Sequence, residues 1–234
     1  MKIAIMQPYF CPYIGYFQLI SSVDAFVIYD NIQYTKKGWI NRNRILINGK
    51  DEYISLPLKK DSDYRDIYQR SLALGIQEEK QKILRKIRAS YLKAPQFETV
   101  FPLLAGILEN PEDNLFEFIR QSLVRINAFL GLKTPLIVSS TLPVNHTLRS
   151  QEKVLAICKS LGATSYINPI GGLELYEKEV FAAEGISLRF LNSGEIRYPQ
   201  FNNDFIPWLS IIDVLMFNDS KTVTTFLQTG YSLL

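Results

Sequence analysis

The chain has 234 residues, of which 47% are hydrophobic and 21% are charged, and its formal net charge at pH 7 is +3. These values are ordinary for a globular protein and exclude a largely disordered chain. The small positive excess argues against a nucleic-acid-binding protein, which would carry a basic stripe on one face. A chain of this length forms one large domain, or one domain with a helical insertion.

Cysteine and histidine are too few for a metal centre. The chain contains Cys11, Cys158 and one histidine, without metal-ligand spacing, so we predict no metal site. Two isolated cysteines fit a reducing compartment. The first ten residues are interrupted by Gln-Pro and do not form a secretory signal. No segment is apolar enough to span a bilayer, so we expect a cytoplasmic protein without membrane insertion.

The chain begins with a strand–helix–strand pattern. Residues 3–6 form a short apolar run, the residues after Gly15 have apolar side chains at helical spacing, and residues 25–29 form a second β-type run. This order predicts a βαβ unit with a parallel sheet that is buried on both faces. The next β-type runs, RILI and EYISLPL, are separated by Asn-Gly, which indicates a β-hairpin. Residues 59–66 are polar and are predicted to form a loop.

The middle of the chain is helical in character. Residues 76–131 are predicted to form a helical insertion, and residues 1–70 and 132–234 the α/β part of a single domain. The first helix has charges on one side and apolar residues on the other. Pro95 and Pro102 are expected to bracket the second helix, since proline breaks regular structure. The third is expected to follow Asp-Asn and to end at a glycine.

The remainder returns to alternating strands and helices. Strands are predicted at residues 135–140, 165–168 and 186–191, with helices at residues 150–161 and 173–183. Two apolar helices are predicted in the C-terminal segment, within PWLSIIDVLMF and KTVTTFLQTGY. The predicted fold class is therefore α/β, a mostly parallel Rossmann-like sheet with an inserted helical subdomain and a C-terminal helical segment.

The first candidate loop is QPYFCPYIGY. Ligands of open parallel sheets sit beyond the carboxyl ends of the strands, and a helix N-terminus there favours an anion. We expect Gln7 and Tyr16 to bind substrate and Tyr13 to be catalytic. The loop resembles that of nucleotidylyltransferases, in which Phe-x-Pro precedes His-x-Gly-His, but tyrosine cannot replace an imidazolium cation. The alternative is that Tyr13 and Tyr16 only pack the helix against the sheet.

The second candidate loop, residues 30–44, is the most polar part of the chain. Asp30 follows a buried strand directly and could act as a base. Arginine offers planar donor forks suited to phosphate, and tryptophan could stack on a sugar or a base. The expected substrate-binding residues are Gln33, Lys37, Trp39, Asn41, Arg42 and Arg44. The alternative is a solvated basic turn with one salt bridge.

The third candidate loop contains Asn168, Gly171 and Gly172, all expected to bind substrate. Two glycines ahead of a helix allow close backbone approach to a ligand, although a plain tight turn explains them equally well. His146 is the third candidate catalytic residue, but a lone histidine is more often a cap or a surface residue. Asp213 lies among apolar residues and must be paired or hydrogen-bonded.

Six segments together resemble one protein family. They are KIAIMQPYFCPYIGYFQLI, DAFVIYDNIQYTKKGWINRNRIL, SLPLKK, KAPQF, LGATSYINPIGGLELY and LSIIDVLMFN, and they resemble the WbqC-like family from Met1 to nearly the last residue. Cys11 departs from the resemblance, which leads us to expect an aromatic residue there, and this argues against a cysteine nucleophile. WbqC-like proteins occur among genes for O-antigen and other bacterial surface glycans. The resemblance implies a role in making or modifying an activated sugar, such as acylation or aminoacylation of an amino sugar.

The leading hypothesis is an enzyme that transfers an acyl or aminoacyl group onto a nucleotide-linked amino sugar in surface polysaccharide biosynthesis. Asp30 would be the base, Arg42 and Arg44 would hold the diphosphate, and Tyr13 and Trp39 would line the sugar pocket. One alternative is a nucleotidyltransferase-like enzyme that binds a nucleoside triphosphate in the first loop. The other is a non-catalytic binding module of a glycan assembly complex. No motif specifies a cofactor or an oligomeric state.

Overall fold

The structure, a computed structural model, describes residues 1–234. Its elements alternate between strands and helices at both ends of the chain, with three consecutive helices in the middle. The strands are β1 (Lys2–Met6), β2 (Ala25–Ile28), β3 (Arg42–Ile47), β4 (Lys50–Ser55), β5 (Leu136–Val138), β6 (Ser165–Pro169), β7 (Ser187–Ser193) and β8 (Tyr231–Leu233). The helices are α1 (Ile14–Ser21), α2 (Ile76–Tyr91), α3 (Phe97–Leu108), α4 (Leu115–Phe129), α5 (Ser150–Ser160), α6 (Lys178–Ala183), α7 (Ile211–Phe217) and α8 (Ser220–Thr229).

Six strands form one sheet in the order β5-β2-β1-β6-β7-β8. All neighbours are parallel except β8, which runs antiparallel to β7. The chain leaves β1 through α1 towards β2, and it leaves β6 through α6 towards β7 on the other side. The neighbours β1 and β6 therefore form a topological switch point, where open α/β sheets bind their ligands. The α/β class with a mostly parallel sheet is confirmed.

A separate antiparallel hairpin, β3–β4, lies outside the sheet. Asn48 and Gly49 connect its strands with φ angles of 50° and 76°. Two consecutive residues in the left-handed region form the kind of tight turn that matches the twist of paired strands. The hairpin predicted from Asn-Gly is confirmed, and it carries the second candidate loop at its base.

The three middle helices are those predicted, with one difference. The Asn114 side chain caps α4 by accepting a hydrogen bond from the Glu117 N–H at 3.0 Å, and Gly131 follows its end with a φ of 70°. Pro102, however, lies inside α3 and does not end it. A proline inside a helix costs about 3 kcal/mol, whereas each large apolar side chain buried by a helix stabilises it by about 2 kcal/mol. The residues that α3 buries are Phe97, Val100, Leu104, Ile107 and Leu108.

The helix predicted over residues 173–183 is wrong in its first half. A short 3₁₀ helix, Ile170–Leu175, is followed by a break and then by α6. Tyr176 occupies the break in an extended conformation, and its ring packs edge-on against Tyr166 and Phe181 at 5.7 and 5.8 Å. Burying this ring between β6 and α6 requires the helix to stop.

The C-terminal segment also differs from the prediction. The helix predicted within PWLSIIDVLMF begins only at Ile211, because Trp208 has a φ of 60°, which a continuing helix cannot contain. After α8 the last residues form β8, an edge strand that was not predicted. Its three residues are too few to show an alternating pattern.

Two apolar layers cover the two faces of the sheet. Along β1 the side chain of Ala4 faces a large layer that contains α1, α2, α3, α4, α7 and α8. Ile3 and Ile5 face a smaller layer formed mainly by α5 and α6. The middle helices therefore share their core with the sheet and with the β3–β4 hairpin. None of the helices combines the length and the apolar character needed to cross a membrane.

Candidate functional site

A cleft of three adjoining cavities follows the carboxyl ends of the strands. The aromatic cavity, of about 410 Å³, is lined by Tyr9, Pro12, Tyr13, Trp39, Asn43, Arg44, Ile170, Asn192, Ser193 and Trp208. The central cavity, of about 350 Å³, is lined by Ile5, Met6, Gln7, Tyr9, Tyr29, Ile32, Asn168, Pro169, Gly171, Gly172, Leu175 and Tyr176. The polar cavity, of about 690 Å³, is lined by Tyr29, Asn31, Ile32, Gln33, Tyr64, Asp66, Arg149, Ser150, Gln151, Val154, Glu174, Leu175 and Tyr176. Shared lining residues join the three cavities, and the central one lies at the β1–β6 switch point.

The aromatic cavity contains both tryptophans of the chain. Trp39 and Trp208 are 38% and 45% exposed, although indole rings are normally well covered in a folded protein. They come from separate segments, one ahead of β3 and the other ahead of α7. Tyr9 and Tyr13 add two phenol rings from the first loop. Such a set of flat rings in a concave site suits a ligand that contains a sugar or a nucleobase.

Arg44 connects the two tryptophans. Its guanidinium lies 5.7 Å from the centre of the Trp39 ring, and its Nη2 lies 3.5 Å from the Trp208 carbonyl oxygen. Its Nη1 donates to Asp51 at 2.8 Å in an ion pair. The Nε atom is buried and has no hydrogen-bond partner. A buried donor without a partner is costly, but a ligand in the cavity cannot reach this atom unless the side chain moves.

Asn43 fixes the first loop to β3. Its Nδ2 donates to the carbonyl oxygens of Phe10 and Cys11 at 3.1 and 2.8 Å, and its Oδ1 accepts from the Arg44 N–H at 2.8 Å. The Ser210 hydroxyl also donates to the Cys11 carbonyl, at 2.6 Å. Burial raises the pKa of the Cys11 thiol to about 12, so this cysteine is not an activated nucleophile.

Asp213 fixes the segment that carries Trp208. Its carboxylate is fully buried and accepts hydrogen bonds from the hydroxyls of Tyr91 and Tyr198 and from Gln200 Nε2, at 2.7, 2.8 and 2.7 Å. Burial raises the pKa of Asp213, and the three hydrogen bonds oppose that shift. Because Tyr91 belongs to α2, the carboxylate ties three parts of the chain together.

The first loop supplies two of its three expected residues to the cleft. Tyr13 lines the aromatic cavity and Gln7 the central one. Tyr16 is buried instead, where its hydroxyl donates to the Gln7 carbonyl at 3.0 Å and its ring packs 5.2 Å from that of Phe26. Burial also raises the pKa of Tyr13 and that of Tyr16. Both hydroxyls therefore remain protonated near neutral pH.

The second loop supplies Trp39 and Arg44 to the aromatic cavity and Gln33 to the polar one. Arg42 is committed elsewhere, since it donates to the Gly38 and Lys37 carbonyls and stacks 4.5 Å from the Tyr53 ring. The Arg42 side chain therefore stabilises the turn before β3. Lys37 is exposed and lies outside the three cavities.

Asn41 and Asp30 form structural hydrogen bonds with other segments of the chain. Asn41 accepts from the Tyr34 hydroxyl and donates to the Leu56 carbonyl, both at 2.8 Å. Asp30 is 1% exposed and accepts from the Ser140 N–H at 2.9 Å and the Ser139 hydroxyl at 3.2 Å. It lines none of the three cavities. Its carboxylate joins the end of β2 to the end of β5.

His146, like Asp30, forms hydrogen bonds that connect separate segments of the chain. Its Nδ1 accepts from Asn31 Nδ2 at 2.8 Å, and its Nε2 lies 3.1 Å from the Leu142 carbonyl oxygen. This pattern places the proton on Nε2, which donates to that carbonyl. The imidazole fixes the loop before α5 behind the polar cavity and does not line it.

The third loop lies at the central cavity as expected. Asn168, Gly171 and Gly172 all line it. Asn168 Oδ1 accepts from the Tyr166 hydroxyl at 2.9 Å, and its Nδ2 donates to the Pro169 carbonyl at 2.9 Å. A Cβ atom on Gly172 would lie 2.0 Å from that Nδ2, whereas a Cβ atom on Gly171 would meet nothing within 4 Å. Gly172 is therefore required for packing, and Gly171 is free to approach a ligand.

The adjacent glycines provide a matched pair of variants. We expect Gly172→Ala to displace the Asn168 side chain and to lower the free energy of unfolding by about 1–3 kcal/mol, as overpacking does. Gly171→Ala should leave it within about 0.5 kcal/mol, because the added methyl group enters open space. Urea unfolding of both variants measures the difference, and equal values would contradict the assignment.

The cleft contains further residues that were not among the predicted site residues, including Tyr9, Asn192 and Trp208 in the aromatic cavity and Asp66, Arg149 and Glu174 in the polar one. Trp208 was assigned to a helix because the apolar residues around it have helical spacing. Asn192 lies at the end of β7, where only knowledge of the strand order could place it beside the first loop. The scarcity of tryptophan in the chain was the one feature of the sequence that could have indicated Trp208.

Comparison with known proteins supports a single family assignment. The sequence model of the WbqC-like protein family matches residues 7–225. A protein of Mycobacterium tuberculosis described as uncharacterized is 31% identical over 229 residues, which is 97% of this chain and 97% of that protein. No solved structure matches the chain significantly. The family match covers most of the cleft, and the chain belongs to the WbqC-like protein family.

Proposed function

We propose that the cleft binds a nucleotide-linked amino sugar and that the protein transfers an acyl or aminoacyl group to it in bacterial surface polysaccharide biosynthesis. The observation that carries this proposal is the aromatic cavity, in which both tryptophans accompany Arg44. Indole rings suit the faces of a base or a sugar, and a guanidinium suits a phosphate oxygen.

The arrangement of the cavities suggests how the substrate lies. With the nucleotide in the aromatic cavity, the sugar amine extends into the central cavity, near the side chains of Gln7 and Asn168. An activated acyl donor that carries little negative charge, such as a simple aminoacyl ester or thioester, reaches the amine from the polar cavity. The amine nitrogen forms a bond to the acyl carbon, the bond to the sulfur or oxygen leaving group breaks, and the leaving group receives the proton. Positioning of two substrates supplies most of the rate enhancement in such a reaction.

A proton acceptor for the amine is available within the cleft. Asp66 and Glu174 line the polar cavity next to the central one. We assign the transfer of the proton to one of these carboxylates, because Asp30 lies outside the cleft and accepts two hydrogen bonds from its own chain. Asp30 then has a positioning role, holding the loop that carries Asn31 and Gln33.

Intrinsic fluorescence tests the proposal directly, because the only two tryptophans lie in one cavity. UDP- and dTDP-linked amino sugars are expected to change the emission saturably. Trp39→Phe and Trp208→Phe should each remove part of the change. Trp39→Ala and Trp208→Ala should each weaken binding about tenfold, since stacking on one aromatic ring contributes about 1–3 kcal/mol.

Tyr68→Ala is the control, because Tyr68 is a 40% exposed aromatic residue outside the three cavities. It should bind like the wild type. Absence of a saturable change across the nucleotide-sugars would refute the proposal. A response to ATP or CTP alone, with pyrophosphate released in the presence of an acceptor, would favour a nucleotidyltransferase. Binding without any transfer of an acyl group would favour a binding module.

A further inference from the structure

The polar cavity carries charges of both signs that form no ion pair within the chain. Arg149 lies directly ahead of α5, Asp66 lies in the loop after Lys60, and Glu174 lies in the 3₁₀ helix after β6. None of these three residues takes part in an ion pair. Three separate elements thus bring one guanidinium and two carboxylates to the same cavity.

The balance of these charges restricts the ligand. A coenzyme A thioester or a nucleoside triphosphate carries several negative charges, and two carboxylates in the lining would repel it. Two buried ions behind the wall, Lys153 and Asp30, carry opposite charges. The Lys153 ammonium donates to the Asn31 carbonyl at 2.9 Å and lies 4.9 Å from the Tyr29 ring. The lining therefore favours a ligand that itself carries both signs.

The remaining lining groups suit a small polar molecule with an apolar part. Tyr29 and Tyr176 form rings at the boundary with the central cavity, and burial raises the pKa of the Tyr29 hydroxyl to about 12, so it remains a donor. Tyr64 and Leu175, which also line the cavity, are 85% and 67% exposed. A ligand side chain could cover these exposed apolar groups on binding.

We propose that the polar cavity binds a free α-amino acid as a zwitterion, with its carboxylate on Arg149 and its ammonium on Asp66 and Glu174. The guanidinium offers the paired donors that a carboxylate accepts, and the two carboxylates accept from the three donors of the ammonium. This assignment deepens the proposed function and rests on it for its purpose, since the free amino acid is the parent of the activated aminoacyl donor, in which an ester or thioester group takes the place of the carboxylate. The binding itself is independent of any nucleotide-sugar.

Isothermal titration calorimetry with the common L-α-amino acids tests the site without a nucleotide-sugar present. At least one is expected to bind saturably. Its methyl ester lacks the carboxylate, and its N-acetyl derivative lacks the ammonium, so each should bind about tenfold more weakly, which corresponds to a loss of about 1.4 kcal/mol.

Two variants test which charged group of the amino acid Arg149 and Glu174 each bind. Arg149→Gln should weaken binding of the amino acid about tenfold while leaving that of the methyl ester unchanged. Glu174→Gln should weaken binding of the amino acid but leave binding of the N-acetyl derivative unchanged. Arg85→Gln, at an exposed arginine on α2 outside the cleft, should bind like the wild type. Both altered residues are exposed, so the variants should fold normally, as thermal unfolding can verify.

The proposal is overturned if no amino acid binds saturably, or if Arg149→Gln weakens binding of the amino acid and binding of its methyl ester equally. The tryptophan fluorescence response to nucleotide-sugars is measured separately on the wild-type protein. An intact response without amino acid binding would overturn the amino acid site alone. Amino acid binding without a response would overturn the nucleotide-sugar proposal alone.

Discussion

Asp213→Ala is expected to lower the free energy of unfolding by about 3–4 kcal/mol, because it leaves several buried donors without their acceptor. The donors are the hydroxyls of Tyr91 and Tyr198 and the amide of Gln200. Urea unfolding at neutral pH measures the change. Asp204→Ala is the control, since Asp204 is an exposed carboxylate of the same segment. A loss of less than 1 kcal/mol at Asp213 would show that the network adds little.

The pH dependence of Asp213→Asn gives an independent check. The folded-state pKa of Asp213 is raised above the ordinary 3.8 by burial. Its contribution to stability is therefore complete below the unfolded pKa and is lost as pH rises through the raised folded pKa. Relative to Asp213→Asn, which does not titrate, the wild type should become more stable as pH falls from about 7 towards about 4. A constant difference across that range would contradict the raised pKa.

Asn43→Ala is expected to lower the free energy of unfolding by about 2–3 kcal/mol, because three backbone groups each lose a hydrogen bond and only the Cys11 carbonyl keeps another side-chain partner, Ser210. These groups are the carbonyls of Phe10 and Cys11 and the N–H of Arg44. The variant should also broaden and shift the tryptophan emission to longer wavelength, because the wall of the aromatic cavity becomes less fixed. Both quantities can be followed in a single urea titration.

Asn192→Ala is the matched control, since Asn192 lines the same cavity but is exposed. Its stability should remain within about 0.5 kcal/mol of the wild type. A nucleotide-sugar that contacts Asn192 would still bind more weakly to this variant. If the two asparagine variants lost equal stability, the conclusion that Asn43 fixes the first loop to β3 would be wrong.

Local patterns were sufficient to predict most of the fold. The Asn48-Gly49 turn, the cap at Asn114 and the apolar strands each depend on residues close in sequence. The errors arose where distant packing overrides local preference, as in the retention of Pro102 within α3 and the break at Tyr176. The extra strand β8 depends on its pairing with β7, which a sequence of three residues does not encode.

The site was predicted in outline but not in detail. The rule that ligands bind beyond the carboxyl ends of parallel strands led to loops that do line the cleft. Residue types alone could not distinguish Arg44, which lines the aromatic cavity, from Arg42, which is committed to backbone carbonyls. The same is true of Asp30, since a carboxylate after a strand can point into the cleft or into the protein. Side-chain direction is decided by contacts between distant segments, and these contacts are not visible in a single sequence.

The central strand of the sheet is at the very beginning of the chain, and its neighbour comes much later. β1 pairs with β6 through partners such as Lys2 and Ser165, and Gln18 of α1 donates to the carbonyls of Phe226 and Gly230. These long loops must close before the sheet is complete, which slows folding. During synthesis β1 therefore remains without one of its two strand partners until more than two thirds of the chain has been made. For that period its apolar side chains and the unpaired N–H and C=O groups of one edge are exposed to chaperones and to aggregation.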